Sequence, residues 1–261
     1  MAISVKTKDQ LVKGLKKFQP IIKKAKAADI NESDTVTIIV DMLSDVFGYD
    51  KYAEITSEYA IKKTFCDLAI KLNDKPVLLI ECKAIGLELK DDFVRQATNY
   101  AADSGIEWVV LTNAVTWRMY KVIFNKPIEK ELVYEFDMTE LSPKKQMDID
   151  LLYTLCRDSF TGSKKQSSLE DLYMQKQIVN KFMIGQLLLS DNMLDQLRKQ
   201  IKRLAPDMKP DNDMLKSILL NDVIKREVCE GDQSADAKKR IAKMERDAAK
   251  AKAAKAKPTE E

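Results

Sequence analysis

The run Val77-Leu78-Leu79-Ile80 narrows the fold more than any other feature of the chain. Four apolar residues follow the turn signal Asn73-Asp74-Lys75-Pro76 and end at the charges of Glu81 and Lys83. Such a run belongs to a central strand buried on both faces. A strand of that kind needs neighbouring strands beside it and other layers over it, and the flanking segments supply both. Residues 6–30 read as a basic amphipathic helix interrupted by Pro20, with Lys13, Lys16, Lys17, Lys23, Lys24 and Lys26 on its polar side. Asn31 reads as the N-cap of a second helix, with Glu32 and Asp34 in a first turn where acids suit the helix dipole. Val36, Ile39, Val40, Leu43, Val46 and Phe47 keep helical spacing until Gly48.

Beyond Gly48 the period changes. Residues 55–61, 64–72 and 77–83 read as strands, 91–103 as a helix, and 108–111 and 116–122 as strands joined by a turn that begins at Asn113. Residues 132–136 make a further strand. Helix, three strands, helix and more strands predict an α/β fold, a mixed sheet flanked by helices. From about Met138 the pattern is helical, with breakers at Gly162-Ser163-Lys164 and over 206–210. From about Gly231 the chain is rich in Ala and Lys and poor in large apolar residues, which predicts a frayed helix or disorder. The expected organisation is a basic N-terminal extension over 1–30, an α/β core over 31–137, a helical region over 138–230 and a tail over 231–261.

The chain has no histidine. Ser-His-Asp triads, histidine bases and His-ligated zinc are therefore excluded, and proton transfer falls to carboxylates, Lys, Tyr or water activated by a metal. Cys66, Cys82, Cys156 and Cys229 form no C-x-x-C pair, which argues against structural zinc and fits a reducing compartment. No apolar run approaches the ~20 residues of a membrane-spanning helix, and the N-terminus has no signal-peptide core. A soluble cytoplasmic protein with no membrane partner is expected. The formal charge is only +3, so any affinity for nucleic acid must come from local patches.

The hairpin around Asp74 concentrates the chemistry. A turn centred there sets Asp67, seven residues before it, against Glu81, seven residues after it. Directly opposed residues have Cβ atoms ~4.5–5.5 Å apart, and Lys83 shares a strand face with Glu81. Two facing carboxylates repel unless a cation joins them. Mg²⁺ prefers such oxygen donors, and Mn²⁺ is an alternative. The backbone carbonyl of Cys82 would add a ligand, while Lys83 would orient water or hold a phosphate. The plainer alternative is a cross-strand salt bridge on a solvated face. The position of the charges at the end of a buried strand weighs towards function.

Asp67…Glu81-Cys82-Lys83 resembles the PD-(D/E)xK nuclease superfamily. More closely, the chain resembles the N-terminal nuclease domain of type I restriction enzyme motor subunits. The resemblance is carried by Asn31-Glu32-Ser33-Asp34-Thr35, Phe47-Gly48-Tyr49-Asp50, Gln96-Ala97-Thr98-Asn99-Tyr100, and Leu111-Thr112-Asn113 followed by Trp117-Arg118-Met119-Tyr120. It covers about residues 30–125. It implies a restriction-endonuclease-like fold and a Mg²⁺-dependent endodeoxyribonuclease acting on DNA. Asp67 and Glu81 would bind metal, Lys83 would assist catalysis, Glu32 would be an auxiliary acid, and Gln96 and Tyr100 would contact DNA or steady the site. Trp117 and Tyr120 read as core. The chain contains no G-x-x-x-x-G-K-[ST] loop, so it would act as a stand-alone relative, a homo-oligomer, or a module serving a separate motor or specificity partner. The competing function is a non-catalytic nucleic-acid-binding or partner-docking module that keeps the nuclease fold.

Overall fold

The computed structural model describes residues 3–61, 64–161 and 168–255. Two helices, α1 (Val5–Ala27) and α2 (Glu32–Asp45), precede three strands, β1 (Ile55–Ile61), β2 (Thr64–Leu72) and β3 (Lys75–Cys82). Helix α3 (Phe93–Ser104) then crosses to β4 (Trp108–Thr112), and β5 (Thr116–Ile123) and β6 (Glu129–Asp137) complete the sheet. The strands lie in chain order, antiparallel throughout except for the parallel pair β3–β4. A parallel pair needs a crossover, and α3 supplies it. This is the mixed α/β sheet flanked by helices that the sequence predicts. The expected breaker at Gly162-Ser163-Lys164 lies outside the described residues.

Each sheet face has its own core. One carries Leu68, Ile70, Leu78, Ile80, Val110, Trp117 and Met119, covered by α1, α2 and α4 (Gln146–Tyr153). The other carries Ala69, Leu79, Val109, Leu111, Tyr120 and Val122, covered by Val94, Ala97, Tyr100 and Ala101 of α3. β3 is thus apolar on both sides for the reason its sequence announces.

Helix α1 departs from expectation in two ways. It is continuous through Pro20, which faces solvent, so the carbonyl that the missing N–H leaves unpaired meets water. Phe18 and Ile22, buried on either side, hold the helix in place. Nor does α1 stand apart as an extension. Leu11, Leu15 and Ile22 are wholly buried in the first core.

The chain divides into two compact units, Met1–Met174 and Gln175–Glu261. The helices after the sheet are therefore shared out: α4, α5 (Arg157–Thr161) and most of α6 (Ser168–Ile178) belong to the first unit. The second unit is helical. It comprises α7 (Lys181–Leu188), α8 (Asp191–Leu204), α9 (Asn212–Ile218), a π-helical turn over Leu219–Val223, α10 (Arg226–Cys229) and α11 (Asp232–Lys255). Within the tail expected to be a frayed helix or disordered, Asp232–Lys255 forms α11, whose first turns bury Ser234, Ala237 and Ile241. It packs on α7, where the Gln186 amide donates to Ser234 Oγ at 2.9 Å. Gly185 lets α7 approach α10 closely. A Cβ at Gly185 would stand 2.5 Å from Val228.

Candidate active site

The β2–β3 hairpin builds the site, and a bulge sets its register. Asn73 and Asp74 both have positive φ, the conformation of a tight two-residue hairpin turn. Next to that turn Leu72 pairs with Lys75 and Lys71 with Pro76. A ladder continued at this register would set Asp67 against Ile80 and throw Glu81 onto the opposite face. Val77 is the extra residue that prevents this. Beyond it Ile70 pairs with Leu78, Ala69 with Leu79 and Leu68 with Ile80, so Asp67 comes level with Glu81. The pairing expected from a turn centred on Asp74 is reached, but through a bulge beside a turn centred between Asn73 and Asp74.

At this end of the sheet the three charged side chains converge. Lys83 Nζ donates to Glu81 Oε1 at 2.7 Å and to the Cys82 carbonyl at 2.8 Å, and lies 3.9 Å from Asp67 Oδ2. Asp67 Oδ2 accepts the backbone N–H of Cys82 at 2.7 Å, which ties β2 to β3 where their paired register ends. Glu81 and Lys83 keep only 13% and 16% of their side-chain surface, whereas Asp67 keeps 34%. Burial pushes the Glu81 carboxyl above the usual carboxylate range. The Lys83 hydrogen bond and charge pull it down, and the charges of Asp67 and Glu32 push it up. For Lys83, burial pulls downward, but the bond to Glu81 and the charges of Glu81, Asp67 and Glu32 outweigh it, so the ammonium is held above the ordinary lysine range. The Lys83 Nζ also lies 5.9 Å from the centre of the Phe93 ring, at the start of α3.

The segment after Lys83 is fastened from several sides. Lys83 N–H extends the parallel ladder to the Thr112 carbonyl. Ile85 N–H donates to the Thr35 hydroxyl, which itself donates to the Asn31 carbonyl, so the capped first turn of α2 is docked beside the site. Asn113 Nδ2 donates to the Leu87 carbonyl at 2.9 Å and to that of Ile85 at 3.4 Å, while its Oδ1 accepts from Val115 and Thr116 N–H. Arg118 donates to the Leu89 carbonyl and pairs with Glu135. Sequence reasoning reads Asn113 as the start of a turn and as part of a family motif, with no bond assigned to it, and does not single out Thr35, Phe93 or Val77. The short polar residue beside a strand end is the signal for Asn113, whereas Val77 looks like ordinary strand.

The auxiliary residues fare differently. Glu32 is exposed and reaches the site only through its charge on Glu81 and Lys83. Gln96 is exposed on α3, while Tyr100, one turn along, is buried in the second core. Trp117 is core: its ring stacks with Phe136 and its N–H donates to the Ala114 carbonyl. Tyr120 has its ring in the core, with its hydroxyl on Asp91.

Residues 32–134 match the family model of the type I restriction enzyme R protein N terminus. The matched span opens on the first residue of α2, closes within β6, and contains every candidate residue of the site. The resemblance of this segment to the R-protein N-terminal domain therefore runs from α2 into β6. Comparison with curated proteins and with solved structures gave no match. No helix among the described residues is long and apolar enough to cross a membrane.

The donor set can be tested against a hard divalent cation. Among the described residues no three His, Cys, Asp or Glu side chains gather closely enough to hold a metal unaided. A cation here would rest on two carboxylates, the Cys82 carbonyl and water, which is the sparse oxygen set typical of Mg²⁺. The hydrogen bonds of Asp67 and Glu81 end on one oxygen each, leaving Asp67 Oδ1 and Glu81 Oε2 available. Cys66 lies buried beside them, its thiol donating to the Leu68 and Ile80 carbonyls. Burial, then the charges of Glu81 and Asp67, push its thiol up to about 12. The residues fit Mg²⁺ or Mn²⁺.

Proposed function

We propose that this protein is a metal-dependent nuclease that hydrolyses DNA phosphodiester bonds within a restriction system. The observation that carries the reading is Lys83, whose ammonium meets both carboxylates at the end of a central strand. A lysine that only neutralised a surface pair would not need this bulged register, a half-buried acid and a fastened segment beside it. Asp67, Glu81 and the Cys82 carbonyl hold the cation. When bound, Mg²⁺ or Mn²⁺ supplies positive charge that neutralises phosphoryl oxygens and acidifies water. Lys83 keeps its proton and adds a second cation to the scissile phosphate or orients the attacking water. Asp67, the most exposed of the three, faces the solvent from which DNA arrives. Supporting observations are the match of residues 32–134 and the Glu81 carboxyl, raised first by burial and further by the charge of Asp67. The reading places the protein in the cytoplasm with DNA as its substrate.

Supercoiled plasmid incubated with the purified protein tests this reading. Nicking or linearisation should require Mg²⁺ or Mn²⁺ and disappear in Glu81→Gln. Intact plasmid at every metal concentration, from a folded protein that binds DNA, would support the non-catalytic binding module instead.

A further inference from the structure

Helix α1 carries eight lysines against one acid, Asp9. That is a local charge of +7 in a chain whose formal charge is +3, so the remainder carries −4. The buried face of α1 is occupied by Leu11, Leu15, Phe18, Ile22 and Ala25, and every lysine is exposed. Lys17 pairs with Asp45 and Lys8 bonds Gln146. Lys13, Lys16, Lys23, Lys24 and Lys26 have no ion-pair partner among the described residues. Exposed lysines are usually just a solvated face. Here they are unneutralised, nearly free of interleaved acids, and spread over the solvent side of ~20 Å of helix from Lys13 to Lys26.

The position of the ridge gives it a direction. The C-terminal end of α1 lies against the segment that follows Lys83. Lys26 lines a cleft with Ile85, Gly86, Glu88, Arg118 and Glu135. Asp29, two residues past the end of α1, touches Gly86 so closely that a Cβ there would stand 2.1 Å from its carboxylate. Gly86 is three residues beyond Lys83, so the ridge ends beside the strand end that carries the trio.

We propose that the Lys13–Lys26 ridge of α1 holds the phosphate backbone of duplex DNA flanking the cleavage point, independently of base sequence. This rests on the nuclease reading and extends it to a surface outside the family match. Charge complementarity selects the occupant. One DNA strand presents a phosphate about every 3.4 Å of axis, so ~20 Å of ridge faces about six of them. Nothing on the ridge offers a rigid fork for base edges, since lysine is a point charge on a flexible stem.

The test uses the full chain carrying Glu81→Gln, so that DNA is bound and not consumed, with and without Lys16→Gln, Lys23→Gln, Lys24→Gln and Lys26→Gln together. Affinity for a 30-base-pair duplex is measured from low to moderate salt. Each lysine on a phosphate contributes about 0.9 to the slope of log affinity against log salt. The fourfold variant should lose about 3 units of slope and bind at least tenfold more weakly near 0.1 M salt, with an unchanged melting temperature. Unchanged slope and affinity would overturn the ridge while leaving the nuclease reading standing. Absence of DNA binding in the parent as well would overturn both. An equal loss after Lys199→Gln, Lys202→Gln, Lys209→Gln and Lys216→Gln would reduce the effect to net charge and overturn the ridge. Loss of binding to phosphatidylglycerol vesicles with DNA affinity intact would assign the helix to a membrane surface.

Discussion

Glu81 is the residue where the fold works against itself. Its carboxyl is buried, sits near Asp67, and is relieved only by Lys83, so its proton is held more tightly than in the unfolded chain. The sign follows from proton binding. A carboxyl with a raised folded value contributes more stability as pH falls through that value and less above it. Metal binding needs the ionised form, so magnesium affinity must weaken as pH falls, beginning above the ordinary glutamate range. At about ten times its Kd a bound ion adds roughly 1.4 kcal/mol, or about 3–6 °C in a chain of this size. Thermal melts with and without Mg²⁺ should show that rise at pH 7, a shrinking rise towards pH 5, and none in Glu81→Gln. A rise that ignores pH, or survives in the variant, would place the ion elsewhere. The trio Asp67, Glu81 and Lys83 was legible in the sequence because strand alternation and a turn signal place all three near one end of the sheet, although the facing of Asp67 and Glu81 depends on the Val77 bulge. Tyr100 was not settled, since a motif tyrosine on a helix has the same spacing whether it meets DNA or packs on Leu79 and Leu111.

The elements around the site explain what a sequence pattern can and cannot carry. Strand and helix order was legible throughout the sheet, because buried strands and amphipathic helices differ in period. The Val77 bulge was not, since one extra apolar residue in an apolar strand leaves no mark. Pro20 misled for the opposite reason: on the solvent side of the helix it forfeits one backbone hydrogen bond, and the burial of Phe18 and Ile22 carries the helix through it. Asn113 shows a motif residue whose visible work is structural, joining β4 to the segment after Lys83. Asn113→Ala would leave the Leu87 carbonyl, the buried Ile85 carbonyl and the Val115 and Thr116 N–H groups without their partner. The expected cost is roughly 2–4 kcal/mol by chemical denaturation, with cleavage lowered even at temperatures where the variant is folded. A change under about 0.5 kcal/mol would show that the segment holds itself.

At the scale of the whole molecule there are two compact units: the first contains the sheet and the trio Asp67, Glu81 and Lys83, the second is a small helical assembly closed by α11. Composition made the tail look dispensable, because Ala and Lys supply little apolar area, yet Ala237 and Ile241 are almost wholly buried. Ile241→Ala should therefore destabilise the second unit by about 2–4 kcal/mol, read as earlier unfolding in that unit by hydrogen exchange. Truncation after Asp247 should change little. Equal protection in wild type and Ile241→Ala would return α11 to the status of a loose tail. The account as a whole stands on Lys83 acting in chemistry and not in folding or metal retention. The decisive measurement is magnesium-dependent plasmid nicking by wild type and Lys83→Ala, with calorimetric titration of Mg²⁺ on both proteins. The predicted result is metal affinity largely retained and nicking reduced by ~10²–10⁴. Equal nicking by the two proteins at matched folding would contradict it.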